Sequence, residues 1–281
     1  MVKSIFELER RFDFDKEFNR LYDLLNMKIY NYEFSRSRDV DFWTIVDKFF
    51  TKWEHRLTAI NANQYFSDLE IHFKTPRSCN KTQKLYILQF IDSYICYLIN
   101  THTISNNYSI ISNSYSINTE DEIFAPYLVI IKNIGVIIEN LNFERQLNHA
   151  DNSVTYIKRD ADVDSVLSIL ENEDDLRMTL LEYNDFRIEN DVNEKRIILK
   201  KLGDYLEPKR REFNSINKSL TDDVFFMLNK FYIRHNNDGN VKFNTDDDYI
   251  KWYNKLFKMI IHLIRTKYII NIHNDLKEYK I

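Results

Sequence analysis

At 281 residues the chain is long enough for one large domain or two ordinary ones. It is 44% apolar, with 20 Phe and 18 Tyr, too much sticky surface for a disordered protein; only three Gly and three Pro argue against tight hairpins, glycine-rich phosphate loops and doubly wound sheets. The net charge of −4 does not exclude an anionic partner, because the segment from Lys195 to Lys218 holds eight Lys or Arg against three Asp or Glu.

In chain order, Phe14, Phe18, Leu21 and Leu25 recur at the helical period, and Phe42, Ile45, Val46, Phe49 and Trp53 do so again. "TPRSCNKTQ" around Pro76 is a break, after which Leu88, Ile91, Ile95 and Leu98 stripe a third strong helix. Residues 100–121, rich in Ser and Asn, favour turns over helix and read as a linker or long loop. A helix around Tyr127 to Leu141 follows. Next, "NFERQLNHADNSVTYIKRD" turns at "HADNS" between alternating flanks, which suggests a small two-stranded ribbon near 143–158.

"DVDSVLSILENEDDLRMTLLEY" keeps a helical period, and Val192, Leu199, Leu202 and Leu206 mark another helix before Pro208. Pro208 suits the first turn of the next helix, whose stripe runs from Phe213 to Phe231. After "HNNDGNVKFN", Thr245 with Asp248 resembles a capping box, and Trp252, Leu256, Met259, Ile260 and Leu263 stripe a final helix, antiparallel to the one before. The fold class is mainly α, with an N-terminal helical domain over 1–99, a linker or loop over 100–121 and a C-terminal helical domain over 122–281.

Several chemistries fall away on motif. No GxSxG, GxxxxGK[ST] or GxGxxG is present, and the seven histidines form no HExxH and no paired spacing with Cys79 or Cys96. The acid runs lack the spacing of a calcium loop, so neither a metal nor another cofactor is expected. The N-terminus has no apolar leader, and the longest apolar run, "YLVIIKNIGVII", is interrupted and too short to span a bilayer. A reduced, cytoplasmic, soluble protein is expected, with no membrane partner.

Two constellations remain. Lys200, Lys201, Lys209, Arg210, Arg211 and Lys218 either solvate the outer faces of two helices or line a surface for RNA phosphates. In "MLNKFYIRHNNDGN", Asn229, Arg234, His235, Asn236 and Asn237 gather at a helix exit. Arginine grips phosphate and histidine moves protons near neutral pH, so the set suits metal-free RNA cleavage through the ribose 2′-OH. The same residues also suit a polar helix end, with Arg234 and His235 on the last carbonyls.

"YLEPKRREFNSINKSLTDDVFFMLNKFYIRHNN" and "DDDYIKWYNKLFKMIIHLI" resemble the C-terminal region of bacterial abortive-infection proteins of the AbiJ-like group, which carry HEPN-type helical domains. "FWTIVDKFFTKWEHRLTAINANQYFSDLEI" and "KTQKLYILQFIDSYICYLIN" resemble the N-terminal part of the same proteins, so the likeness spans most of the chain. It implies a C-terminal HEPN-like helical bundle, homodimerisation that brings two polar clusters together and, in active members, a metal-independent endoribonuclease acting in phage defence. Arg234 matches the motif arginine. The motif histidine follows after four to six residues, whereas positions 239–241 are Gly, Asn and Val and His235 is adjacent. The alternative expectation is a non-catalytic helical module that binds RNA or another protein; a third is a structural protein whose aromatics build an oligomer interface.

Overall fold

A computed structural model describes residues 12–26, 29–30, 39–101, 121–170, 173–235, 239–277 and 279. The protein is mainly helical, and its contacts divide it into two compact units, Met1–Tyr156 and Ile157–Ile281. The division falls inside a strand, whereas the sequence reading placed a linker at 100–121. Most of that Ser/Asn-rich stretch, 102–120, lies outside the described residues.

The first unit contains helices α1 (Phe14–Leu25), α2 (Phe42–Phe49), α3 (Ala62–Asp68), α4 (Lys81–Thr101) and α5 (Asp121–Asn140). Short strands β1 (Ile29–Tyr30) and β2 (Asp39–Val40) pair antiparallel, an element with no sequence signal strong enough to flag. The helix starts follow from side-chain chemistry. Asp13, Asp41 and Asn61 each accept from a backbone N–H of the first turn, while Asn80 and Gln83 cap α4 reciprocally at 2.9 and 3.0 Å.

Phe90 of α4 is the hub of an aromatic core, with Phe66 at 4.8 Å and Trp53 at 5.1 Å between ring centres. Burying such rings, each stabilising by about 1.5–3 kcal/mol, explains why so aromatic a stretch folds. α5 packs on α1 and α4 within this unit.

Strands β3 (Phe143–Leu147) and β4 (Val154–Lys158) form the ribbon anticipated from "HADNS". Its docking on α4 is specific: Gln89 Nε2 donates to Val154 O at 2.7 Å and Val154 N–H donates to Ser93 Oγ at 3.0 Å. Gln89 and Ser93 stand four residues apart, on one helix face.

The second unit holds α6 (Ala161–Leu167), α7 (Asp174–Tyr183), α8 (Val192–Leu206), α9 (Arg210–Lys230) and α10 (Asp246–Lys277). The stretch read as a single helix from Asp162 to Tyr183 is two. Arg177 donates to the carbonyls of Leu167 and, at 3.0 Å, Leu170, closing the exit of α6, and acidic residues restart the chain in α7. Pro208 sits in a single 3-10 turn, Glu207–Lys209, between α8 and α9. α9 kinks at Asn217, where φ is −151°, and the Asn217 side chain caps Leu220 N–H at 3.0 Å.

α9 and α10 form the expected antiparallel hairpin. Tyr253 near the start of α10 donates to Phe231 O at the end of α9 (3.1 Å), while Lys267 farther along pairs with Glu212 near the start of α9 (2.9 Å). Thr245 caps α10 as its spacing suggested, accepting from Asp248 N–H at 3.2 Å. Leu199, Leu202, Leu228, Leu256, Ile260 and Leu263 are buried in the common core. Tyr183 and Phe257 stack there with ring centres 3.9 Å apart.

Candidate functional site

The exit of α9 is built by an unusual residue. Tyr232 takes φ of 59°, the left-handed region that glycine normally fills after a helix, and Arg234 N–H then bonds back to Leu228 O at 3.1 Å. This turn directs the Arg234 side chain toward the end of α8 instead of outward. Its guanidinium donates through Nη1 to Glu207 and through Nη2 to Gly203 O (3.1 Å) and Asp204 Oδ1 (3.3 Å). The side chain is only 11% exposed, and Nε is buried without an acceptor.

The sequence left two fates for Arg234, a phosphate ligand or a cap on its own helix; the structure shows a third. Arg234 caps the C-terminal turn of α8 and neutralises two carboxylates there. Gly203 makes the approach feasible: a Cβ at that position would lie 3.0 Å from Leu228 Cδ2 and 3.3 Å from Arg234 Nε. Phe225 lies beneath, with Arg210 over its ring at 4.3 Å and Arg234 at 5.9 Å.

His235, one residue on, is exposed, and its carbonyl accepts from Asn240 Nδ2. Asn229 is half-buried on the last turn of α9, while Asn236 and Asn237 lie outside the described residues. Arg234 and His235 are thus neighbours along the chain, but one is engaged inward and the other faces solvent.

Of the expected RNA contacts, Lys200, Arg211 and Lys218 are exposed. Lys201 pairs with Glu182 at 3.0 Å, and Lys209 reaches Glu173 at 3.4 Å while lying over the Tyr205 ring at 3.6 Å. Arg210 is half-buried on Phe225. Four of the six basics, Lys200, Lys201, Arg211 and Lys218, thus face solvent, Lys201 in a surface ion pair, while Lys209 and Arg210 lie partly buried over aromatic rings.

Two ionisable clusters escaped the sequence reading. In the first unit, fully buried Asp92 accepts from Arg145 Nε at 2.7 Å, Arg145 Nη2 at 2.8 Å and Tyr156 Oη at 3.2 Å. Burial pushes the Asp92 carboxyl up, against the pull of these donors. Cys96 stands beside them, 3.1 Å from Arg145 Nη2, its thiol pushed up to about 11 by burial and by the charge of Asp92. Such a thiol is a poor nucleophile, so the cluster fastens the ribbon to α4.

In the second unit, Lys195 is only 4% exposed. Its ammonium donates to Asn254 Oδ1 at 3.1 Å and lies 4.0 Å above the Tyr183 ring, whose hydroxyl donates to the same Asn254 oxygen at 2.9 Å. Burial lowers its pKa to about 8, with Lys158 acting in the same direction and Glu189 opposing. An amine near neutrality is chemically useful, but this one is enclosed by side chains that would have to move to admit a substrate.

Among the described residues, no group of three or more His, Cys, Asp or Glu is placed to hold a metal, and no helix is long and apolar enough to cross a membrane. The chain matches no protein-family model, no curated protein and no solved structure.

Proposed function

We propose that this chain is a helical RNA-binding protein of the abortive-infection kind, acting in the cytoplasm in defence against phage, in which Arg234 fastens the α8–α9 corner rather than acting in catalysis. One observation carries the reading: the Arg234 guanidinium is already taken by Glu207, Asp204 and the Gly203 carbonyl. To grip a phosphate it would have to leave two carboxylates, whereas Lys200, Arg211 and Lys218 are exposed and need give up nothing comparable. Purified protein should retard labelled RNA with steep salt dependence and leave it intact without added metal. The Arg234→Ala/His235→Ala variant should bind RNA as the parent does; metal-free cleavage that the double variant abolishes would sink this reading.

A second reading, a metal-independent endoribonuclease, has its own support in the unpaired Arg234 Nε and the exposed His235 one residue away. In that chemistry an imidazole takes the ribose 2′-OH proton, the oxygen attacks the adjacent phosphorus, and the P–O5′ bond breaks to leave a 2′,3′-cyclic phosphate. The departing 5′-oxygen takes a proton from an imidazolium or water, and a released Arg234 stabilises the developing charge. A homodimer that set two α9 exits side by side would supply a second copy of each group. Growth arrest on overexpression that vanishes in the double variant, together with RNA cleavage in vitro, would select this reading over the first.

A further inference from the structure

The solvent face of α10 carries a row of side chains at alternating steps of four and three residues: Lys251, Lys255, Lys258, His262 and Arg265. All five are exposed, and between Lys251 and Arg265 the only other exposed side chain is Asn254. This stretch therefore shows solvent no acid, and its two partly exposed apolar side chains, Trp252 and Met259, are packed against the core. An ordinary solvated helix face mixes signs, because like charges at these spacings repel by a few tenths of a kcal/mol per pair. Here Lys255 sits over the Trp252 ring at 4.1 Å, and Arg265 reaches Asp162 only at 4.0 Å. Acids offset the row only at its ends, Asp247 one turn before Lys251 and Asp162 beside Arg265, so the repulsion among Lys251, Lys255 and Lys258 is relieved little within the row.

The row extends about 21 Å, from the ~1.5 Å rise per residue of an α-helix. A row of that length and sign can meet several successive phosphates of one strand. A protein partner would find only the partly covered Trp252 and Met259 as apolar contacts on this stretch, whereas protein–protein hot spots are large side chains that can be fully buried in a partner's pocket. A bilayer would find nothing to insert there; Ile269 and Ile272 lie beyond Arg265. A polyanionic backbone requires only the charges. We infer that the solvent face of α10 is a phosphate-binding rail for single-stranded RNA, separate from Arg234 and from the basic residues of α8 and α9. The choice of RNA rests on the function proposed above; the assignment of a phosphodiester backbone rests on the row itself.

The test uses the full chain and an unstructured, fluorescently labelled RNA 20-mer, with polarisation read between 50 and 200 mM salt. The variant Lys251→Gln/Lys255→Gln/Lys258→Gln/Arg265→Gln removes four exposed charges; Lys258→Glu alone is the milder second change, and circular dichroism checks that both fold. The four-fold variant is expected to bind at least about ten-fold more weakly at low salt, with the log–log salt slope reduced by roughly 3. Lys258→Glu should fall between it and the parent.

Unchanged affinity and slope in the four-fold variant overturn the rail. If Lys200→Gln/Lys201→Gln/Arg211→Gln/Lys218→Gln loses binding in that case, the proposed function survives without it. No binding of RNA by the parent at 50 mM salt overturns both. Loss of binding to polyglutamate or to phosphatidylserine vesicles, with RNA binding unaffected, overturns the rail in favour of another polyanion. Cleavage or its absence decides only between the two functional readings.

Discussion

Arg145 holds both carboxylate oxygens of Asp92, at 2.7 and 2.8 Å, and so joins strand β3 to the middle of α4 across 53 residues of sequence. Asp92 is fully buried whereas the Arg145 side chain keeps 24% exposure, so the two partners do not bear equal risk when the pair is broken.

Arg145→Ala strands the carboxylate in a dry site. Removing one member of a buried pair costs on the order of 3–5 kcal/mol, and urea unfolding should show a loss in that range. Replacing both, as Asp92→Leu/Arg145→Met, should cost clearly less than the two single changes summed. Additive losses would show that the pair is not an energetic unit.

Lys195 gives the protein a pH signature. Its folded-state pKa of about 8 lies below the ordinary lysine value of ~10.4, so the folded state disfavours the ammonium. Below pH 8 both states are charged and the full penalty is present. Between 8 and ~10.4 the unfolded chain keeps a proton the folded one has released, so this group's contribution to stability rises with pH. Lys195→Met should be the more stable protein at pH 7, by about 1–2 kcal/mol once the lost Asn254 bond is deducted. The advantage should shrink toward pH 10; a difference between variant and parent that stays flat with pH would place the amine in a solvated site.

Gly203→Ala gains about 1 kcal/mol of helix propensity but puts a methyl group 3.0 Å from Leu228 Cδ2 and 3.3 Å from Arg234 Nε. Overpacking at a buried corner costs about 1–3 kcal/mol, so a net loss is expected and Tm should fall by a few degrees. A higher Tm would mean that Arg234 yields easily and its grip on α8 is weak.

Both cysteines are buried and free, and burial raises both thiols, Cys96 to about 11. At pH 8 the native protein should react with a thiol reagent far more slowly than the urea-unfolded chain, which should titrate two thiols. Rapid native labelling of Cys96 would mean that the ribbon opens readily from α4.

The helices were legible where one amphipathic stripe sufficed. Phe14 to Leu25, Leu88 to Leu98 and the α9–α10 hairpin all declare their buried faces within a few turns. The ribbon showed itself through its turn. The α6–α7 break did not, because the residue that ends α6 is Arg177, which looks like any exposed helix arginine until its carbonyl partners are seen. The partners of Arg234 lie 27 to 31 residues upstream, where periodicity carries no information. Lys195 read as one more member of a basic stretch, since only the tertiary position of Tyr183 and Asn254 encloses it. The basic row on α10 is present in the sequence at helical spacing, but its exposure depends on the tertiary burial of the opposite, apolar face.

Val154 has its N–H held by Ser93 and its carbonyl held by Gln89. A slip of one residue in β4 would turn Tyr156 away from Asp92 and leave polar groups on α4 unmatched, so the strand has a single register. The ribbon and the middle of α4 must consequently come apart together. In amide hydrogen exchange they should behave as one cooperative opening unit, while the exposed last turns of α10 exchange on their own and much sooner.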